Sequence, residues 1–180
     1  GTFQPKFISK FLSLCKKINI HTAFDTCGYT QWDPLKDILS FVDLILLDLK
    51  IMDSEKHQQI LKVPNGPILR NTKRMDKMGK RIIIRVPLIP GYTDDEDNVR
   101  RIGEFVKSLN SVEKVELLPF HRMGESKYRQ LGKDYILSNV KPLDDDRIRG
   151  IREFMESYGL KVEIPGRQRN SNYLHQRESK

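Results

Sequence analysis

Several features that would announce a function directly are missing from this sequence. It has two cysteines, Cys15 and Cys27, too few for a disulfide framework. They read as free thiols of a reducing cytoplasm. No apolar run approaches the ~18 residues of a membrane-spanning helix. The 11 glycines form no Walker loop, no GxGxxG and no GxSxG. There is no zinc-ligand spacing, no internal repeat and no Ser/Gly-rich linker. The opening residues, Gly1 to Pro5, resemble neither a signal nor a transit peptide. An acidic excess is absent too: 32 Lys and Arg stand against 24 Asp and Glu, a net charge of +8. That excludes an acidic disordered chain. The basic balance is compatible with a nucleic acid or an anionic ligand. Acids are interspersed with the bases, however, and a well-solvated surface accounts for it. No aromatic-basic platform for nucleic acid is visible.

What remains is a chain of 180 residues, the size of one domain, with a regular alternation of helix and strand. Residues 4–17 carry Phe7, Ile8, Phe11, Leu12 and Cys15, an amphipathic helical stripe. Ile20–Asp25 reads as a short strand. Asp33-Pro34 reads as an N-cap and first helical position, with Leu35, Ile38 and Leu39 lining a short helix. Asp43–Lys50 (DLILLDLK) is a nearly continuous apolar strand, the pattern of a parallel sheet covered on both faces. Helices follow over Ser54–Leu61 and Pro67–Met78, then a strand over Arg81–Ile89. Thr93–Glu96 predicts a capping box and a helix through Leu109. Val115–Pro119 is a fourth strand, Asp144–Tyr158 a last helix, and Lys161–Ile164 a further short strand. The expected fold class is α/β with a parallel sheet. The expected organisation is one domain over residues 1–164 and a basic tail over residues 165–180.

In such folds ligands sit at the carboxyl ends of the strands. There this sequence places an ionisable residue each time: Asp25, Asp48, Lys50, Arg85 and His121. Asp48 and Lys50 share a strand face at i, i+2 and are open to reading as a structural ion pair. Arg85, inside an apolar strand, needs a carboxylate of the fold or an anionic ligand. His121 alone reads equally as a loop histidine. From residues alone the reading is an α/β domain with a polar site at its strand ends.

Four segments carry a resemblance to a known family: His21–Gly28 (HTAFDTCG), Asp43–Lys50, Ile84–Asp94 (IRVPLIPGYTD) and Val112–His121 (VEKVELLPFH), continued by Gly124–Tyr128 and Leu131-Gly132. The chain resembles the glycyl-radical-enzyme activating enzymes of the radical SAM superfamily, over about residues 3–162. The resemblance implies a partial (β/α) barrel, of which this chain supplies the last four strands of six. Gly1 to Pro5 looks like the continuation of a Gly-Gly-Glu motif. A Cys-x3-Cys-x2-Cys loop for a [4Fe–4S] cluster is absent, which makes the sequence read as a fragment, inactive alone.

By the same resemblance, Lys50, Arg85 and His121 are S-adenosylmethionine contacts. Lys50 and Arg85 pair its carboxylate or ribose hydroxyls, and His121 meets the adenosine part. Asp25 and Asp48, with the backbone of Thr26 and Leu46, form a monovalent-cation site. Cys27 stands where the family often has Asn. No residue of this chain is assigned a catalytic role. The implied activity is reductive cleavage of S-adenosylmethionine, with hydrogen abstraction from a glycine Cα of a pyruvate formate-lyase-type partner. Neither a nucleic acid nor a membrane is an expected partner, and self-association is. The competing function is a non-catalytic partner-binding or folding module.

Overall fold

The computed structural model describes residues 4–166. The start of the Gly1–Pro5 motif and most of the expected tail, residues 167–180, lie outside the described residues. In chain order the elements are α1 Pro5–Lys17, β1 Ala23–Thr26, α2 Trp32–Leu39, β2 Leu44–Asp48, α3 Ser54–Leu61, α4 Gly66–Lys77, β3 Arg81–Leu88, α5 Glu96–Lys107, β4 Val112–Pro119, a 3-10 turn Arg122–Gly124, α6 Glu125–Gln130, α7 Asp145–Glu156 and β5 Val162–Glu163. The strands form one sheet in the order β1-β2-β3-β4-β5, parallel at every pairing. Each connection therefore steps the same way, and right-handed crossovers put the helices on one face. The expected parallel sheet is present, with the short last strand as its fifth member.

Burial follows that layering. Ile45 and Leu47 of β2, Ile82, Ile84, Val86 and Leu88 of β3, and Val115 and Leu117 of β4 are fully buried beneath the helices. They pack on Leu35, Ile38 and Leu39 of α2, Met75 of α4, Ile102 of α5 and Met155 of α7. The apolar run of β2 predicts cover on both faces, but Leu44 and Leu46 are only half-buried. They point to the helix-free face, which no described element covers.

Several helix starts differ from the sequence pattern. The cap of α5 is Asp95, whose side chain accepts from Asn98 N at 2.9 Å. Thr93 instead closes the turn after β3, its hydroxyl accepting from Ile89 N at 2.7 Å and donating to Pro87 O at 2.6 Å. Asp53 caps α3, accepting from Lys56 N at 2.8 Å. Asp33 and Pro34 lie inside α2, whose N-cap is Gln31. Residues 122–130, which carry no clear period, form the 3-10 turn and α6. Among the described residues no helix is long and apolar enough to cross a membrane.

Candidate functional site

The site is built by sheet register on the helix-free face. Asp48 lies opposite Arg85 across β2 and β3, and Asp25 lies opposite Leu46 across β1 and β2. Alternation then sends Asp25, Asp48 and Arg85 to one face of three adjacent strands. Arg85 Nε donates to Asp48 Oδ1 at 3.0 Å, and Arg85 Nη2 reaches across β2 to Asp25 Oδ1 at 2.5 Å. Lys50 Nζ donates to the other Asp48 oxygen at 3.0 Å. Two cations and two carboxylates thus form one neutral, hydrogen-bonded cluster at the carboxyl ends of the strands.

Burial works against the Arg85 charge, but its hydrogen bond to Asp25 and the Asp48 carboxylate outweigh that, and the guanidinium is held above its ordinary value. The register also sets Thr26 beside Leu47 and Leu46 beside Asp25, so the four residues read as a cation site occupy one patch. The Thr26 hydroxyl turns away to accept from Gly28 N at 3.0 Å. Gly28 there has φ +72°, a conformation that favours glycine.

His121 is not part of the cluster. It follows Phe120, whose N–H makes the last bond to β3, to Leu88 O at 3.1 Å. Beyond that bond the sheet no longer fixes a side chain's direction. His121 is exposed and begins the 3-10 turn, without an ionic or hydrogen-bond partner among the described residues.

Sequence reasoning missed the residues that hold the loops carrying the site. Three asparagines, each 4% exposed, bind loop carbonyls from the helices. Asn98 donates to Lys50 O and Thr93 O at 2.8 and 2.9 Å and accepts from Met52 N at 2.8 Å. Asn65 donates to Ile51 O and Met52 O, and Asn71 to Gly28 O and Thr30 O. A signal existed, because Asn71 falls among Ile68, Thr72 and Met75 on the buried stripe of α4. The sequence also gave no notice of a second ionic group on the same face. Lys114 bridges Glu116 and Glu163 at 2.8 and 2.6 Å.

Beside Lys50 the loops leave an open groove of about 450 Å³, walled by Leu61, Tyr92, Tyr128, Tyr135 and Ile136. Ile136 is 84% exposed.

No protein-family model matches the chain. Curated relatives do. The sequence is 38% identical over 161 residues to pyruvate formate-lyase 1-activating enzyme of Escherichia coli K12, covering 88% of this chain and 65% of that protein. It is 36% identical over 163 residues to the Streptococcus mutans pyruvate formate-lyase-activating enzyme, covering 87% and 62%. A solved domain of pyruvate-formate lyase-activating enzyme from Bacteroides vulgatus superposes with a TM-score of 0.77 at 30% identity, over 92% of this chain and 93% of that one. The chain belongs to the pyruvate formate-lyase-activating enzyme family. It spans about 65% of the length of the first of these curated relatives. More distant likeness is one of fold alone: Streptococcus suis SuiB, in a structure bound to S-adenosylmethionine, matches with a TM-score of 0.64 at 16% identity, over 89% of this chain and 36% of that one. The activating-enzyme fold thus accounts for the strand order.

Proposed function

We propose that this chain forms the S-adenosylmethionine-binding part of a radical SAM activase. Such an enzyme cleaves that cofactor reductively and takes a hydrogen from a glycine Cα of pyruvate formate-lyase or a related enzyme. The observation that carries the reading is the Asp25–Arg85–Asp48–Lys50 cluster at the strand ends. Its donor set fits the methionine end of the cofactor, a zwitterion. Arg85 and Lys50 serve a carboxylate or ribose hydroxyls. Asp25 and Asp48, with backbone oxygens of Thr26 and Leu46, suit an ammonium group or a monovalent cation. His121 stands at the next strand end for the adenosine part.

Each cation already holds an internal carboxylate, with which a ligand carboxylate competes for N–H donors. Bound there, the cofactor supplies the hydrogen-abstracting chemistry, and the chain's part is to bind and orient it. The apolar groove beside Lys50 supports a polypeptide partner at the same end of the sheet.

A [4Fe–4S] cluster does not fit this chain. Cys15 lies on α1 and Cys27 after β1, and no group of three His, Cys, Asp or Glu among the described residues is placed to hold a metal. No electron step is assigned to these residues, and the chain alone is expected to cleave no S-adenosylmethionine. That misfit favours a second reading, a non-catalytic partner-binding module. Two free thiols suit a cytoplasmic location. A second copy of the chain is the proposed cover for the outer face of α1.

Titration of S-adenosylmethionine, followed by amide NMR, separates the readings. The expected result is weak binding, about 1 mM, that moves resonances of Asp48, Lys50 and Arg85 and weakens about tenfold in Arg85→Met. Shifts confined elsewhere, or no effect of Arg85→Met, leave the binding-module reading standing. Micromolar affinity overturns the expectation that the chain alone binds weakly.

A further inference from the structure

At the amino ends of the strands, opposite the site described above, one lysine stands without a counter-ion. Lys80 is half-buried just ahead of β3. Its Nζ donates to Val42 O, just ahead of β2, at 3.1 Å. Among the described residues that is its one hydrogen bond, and it makes no ion pair. The acids around it are engaged elsewhere. Asp43 Oδ2 accepts from Thr22 N and Thr22 Oγ1 at 2.8 and 3.0 Å, and Asp43 Oδ1 faces Lys16 Nζ at 3.8 Å. The charge of His21 acts on Asp43 as well. Glu113 pairs with Arg81, the next residue of the chain. Asp76, near the end of α4, accepts from Asn110 N and Ser111 N at 2.8 and 2.7 Å, and Lys77 beside it is exposed. Lys16 of α1 adds a second positive charge near Lys80. Burial, then the Lys16 charge, outweigh Asp43 and hold the Lys80 ammonium below its ordinary value.

We propose that Lys80 is an acylation site, at which a small acyl phosphate transfers its acyl group to Nζ. A desolvated amine beside another cation is the arrangement that frees a lysine lone pair near neutral pH. In the step that lone pair forms an N–C bond to the acyl carbon. The C–O bond to phosphate breaks, phosphate leaves with the electron pair, and the nitrogen releases one proton to water. Nothing is oxidised or reduced. Lys16, with its side chain 55% exposed, supplies a cation for the phosphate, which favours this donor over an uncharged acyl ester. The product amide keeps an N–H for Val42 O, so acylation leaves that anchor of the fold in place.

The test treats the chain with acetyl phosphate from pH 7 to pH 9, with Nα-acetyl-lysine in the same tube, and follows acetylation by peptide mass spectrometry. The expected result at pH 7.5 is Lys80 modified about threefold faster than the free amino acid, with a rate that levels off at lower pH. Asp43→Asn removes the opposing charge and speeds Lys80 further. Lys16→Met slows Lys80, and more so with acetyl phosphate than with p-nitrophenyl acetate, an uncharged donor. Lys80 reacting no faster than Nα-acetyl-lysine overturns the proposal, as does a Lys16→Met chain that reacts like the wild type. Equal slowing with both donors overturns the choice of an acyl phosphate. None of these readouts involves Arg85 or Lys50, so the outcome is independent of the cofactor reading.

Discussion

At the residue scale, Arg85 was legible because a single charge interrupts an apolar strand. The structure adds what it holds, two carboxylates at once. Arg85→Met removes the ion pair of Asp25 and leaves Asp48 with Lys50. Both acids retain water access, so the expected loss is moderate, about 1–2 kcal/mol by urea denaturation. Asn98 was not legible. A polar residue beside a helix start looks like solvated surface, and only the fold shows three loop groups converging on it. Asn98→Ala removes those three hydrogen bonds inside the core and should cost about 2–4 kcal/mol. Amide exchange around residues 50–52 should rise with it, because the strand-end loop loses its anchor. An unchanged exchange rate there would separate Asn98 from the loop. His121 marks the limit of sequence pattern. The strand alternation that places Asp25, Asp48 and Arg85 ends one residue before it, so spacing alone could not assign its direction.

At the element scale, the helices and strands were largely readable from periodicity and the caps less so. Thr93–Glu96 has the residues of a capping box, but the tight turn after β3 needs an acceptor for Ile89 N. The Thr93 hydroxyl serves that turn, and the cap passes to Asp95. Burial works against the Asp95 charge, but the hydrogen bonds from Lys56 and from Asn98 N outweigh it and hold the carboxyl below its ordinary value. A depressed folded value means the contribution is complete above the unfolded value and is lost as pH falls through the folded one. Asp95→Ala should therefore cost about 1 kcal/mol at neutral pH, and the difference from wild type should shrink in acid. Denaturation midpoints at pH 7 and pH 3 check this. A gap that is constant with pH would show that the charge is not what caps α5. The length of β4 was underestimated for a related reason. A register irregularity between Ile82 and Ile83 accommodates Glu113 as an extra residue, which breaks the alternation that sequence reading follows.

At the scale of the whole molecule, strand order and layering follow from the alternation of elements, but one consequence is visible only in three dimensions. Among the described residues β1 pairs with β2 alone, so its other edge is free. In addition α1, packed on α2, carries Phe7, Phe11 and Leu14, with Ile18 and Ile20 just beyond its end, all exposed. Phe7 and Phe11 stack with ring centroids 6.4 Å apart. The sequence pattern groups Phe7 and Phe11 with Ile8, Leu12 and Cys15 in one amphipathic stripe, but periodicity tells which residues share a side and not whether that side has a partner. Free strand edges and contiguous apolar surface both promote association. The same helix carries Lys6, Lys10, Lys16 and Lys17, and two copies meeting face to face bring these charges together. The two effects oppose each other with different salt dependence. Screening at 0.5 M salt shortens the reach of the repulsion to roughly 4 Å and leaves the apolar term in place. Self-association measured by sedimentation should accordingly strengthen as salt rises, and Phe11→Glu should abolish it at every salt concentration. A protein that stays monomeric at high concentration and 0.5 M salt rules out the second copy as the cover. Association that weakens with salt would instead place an ion-paired surface, not α1, at the contact.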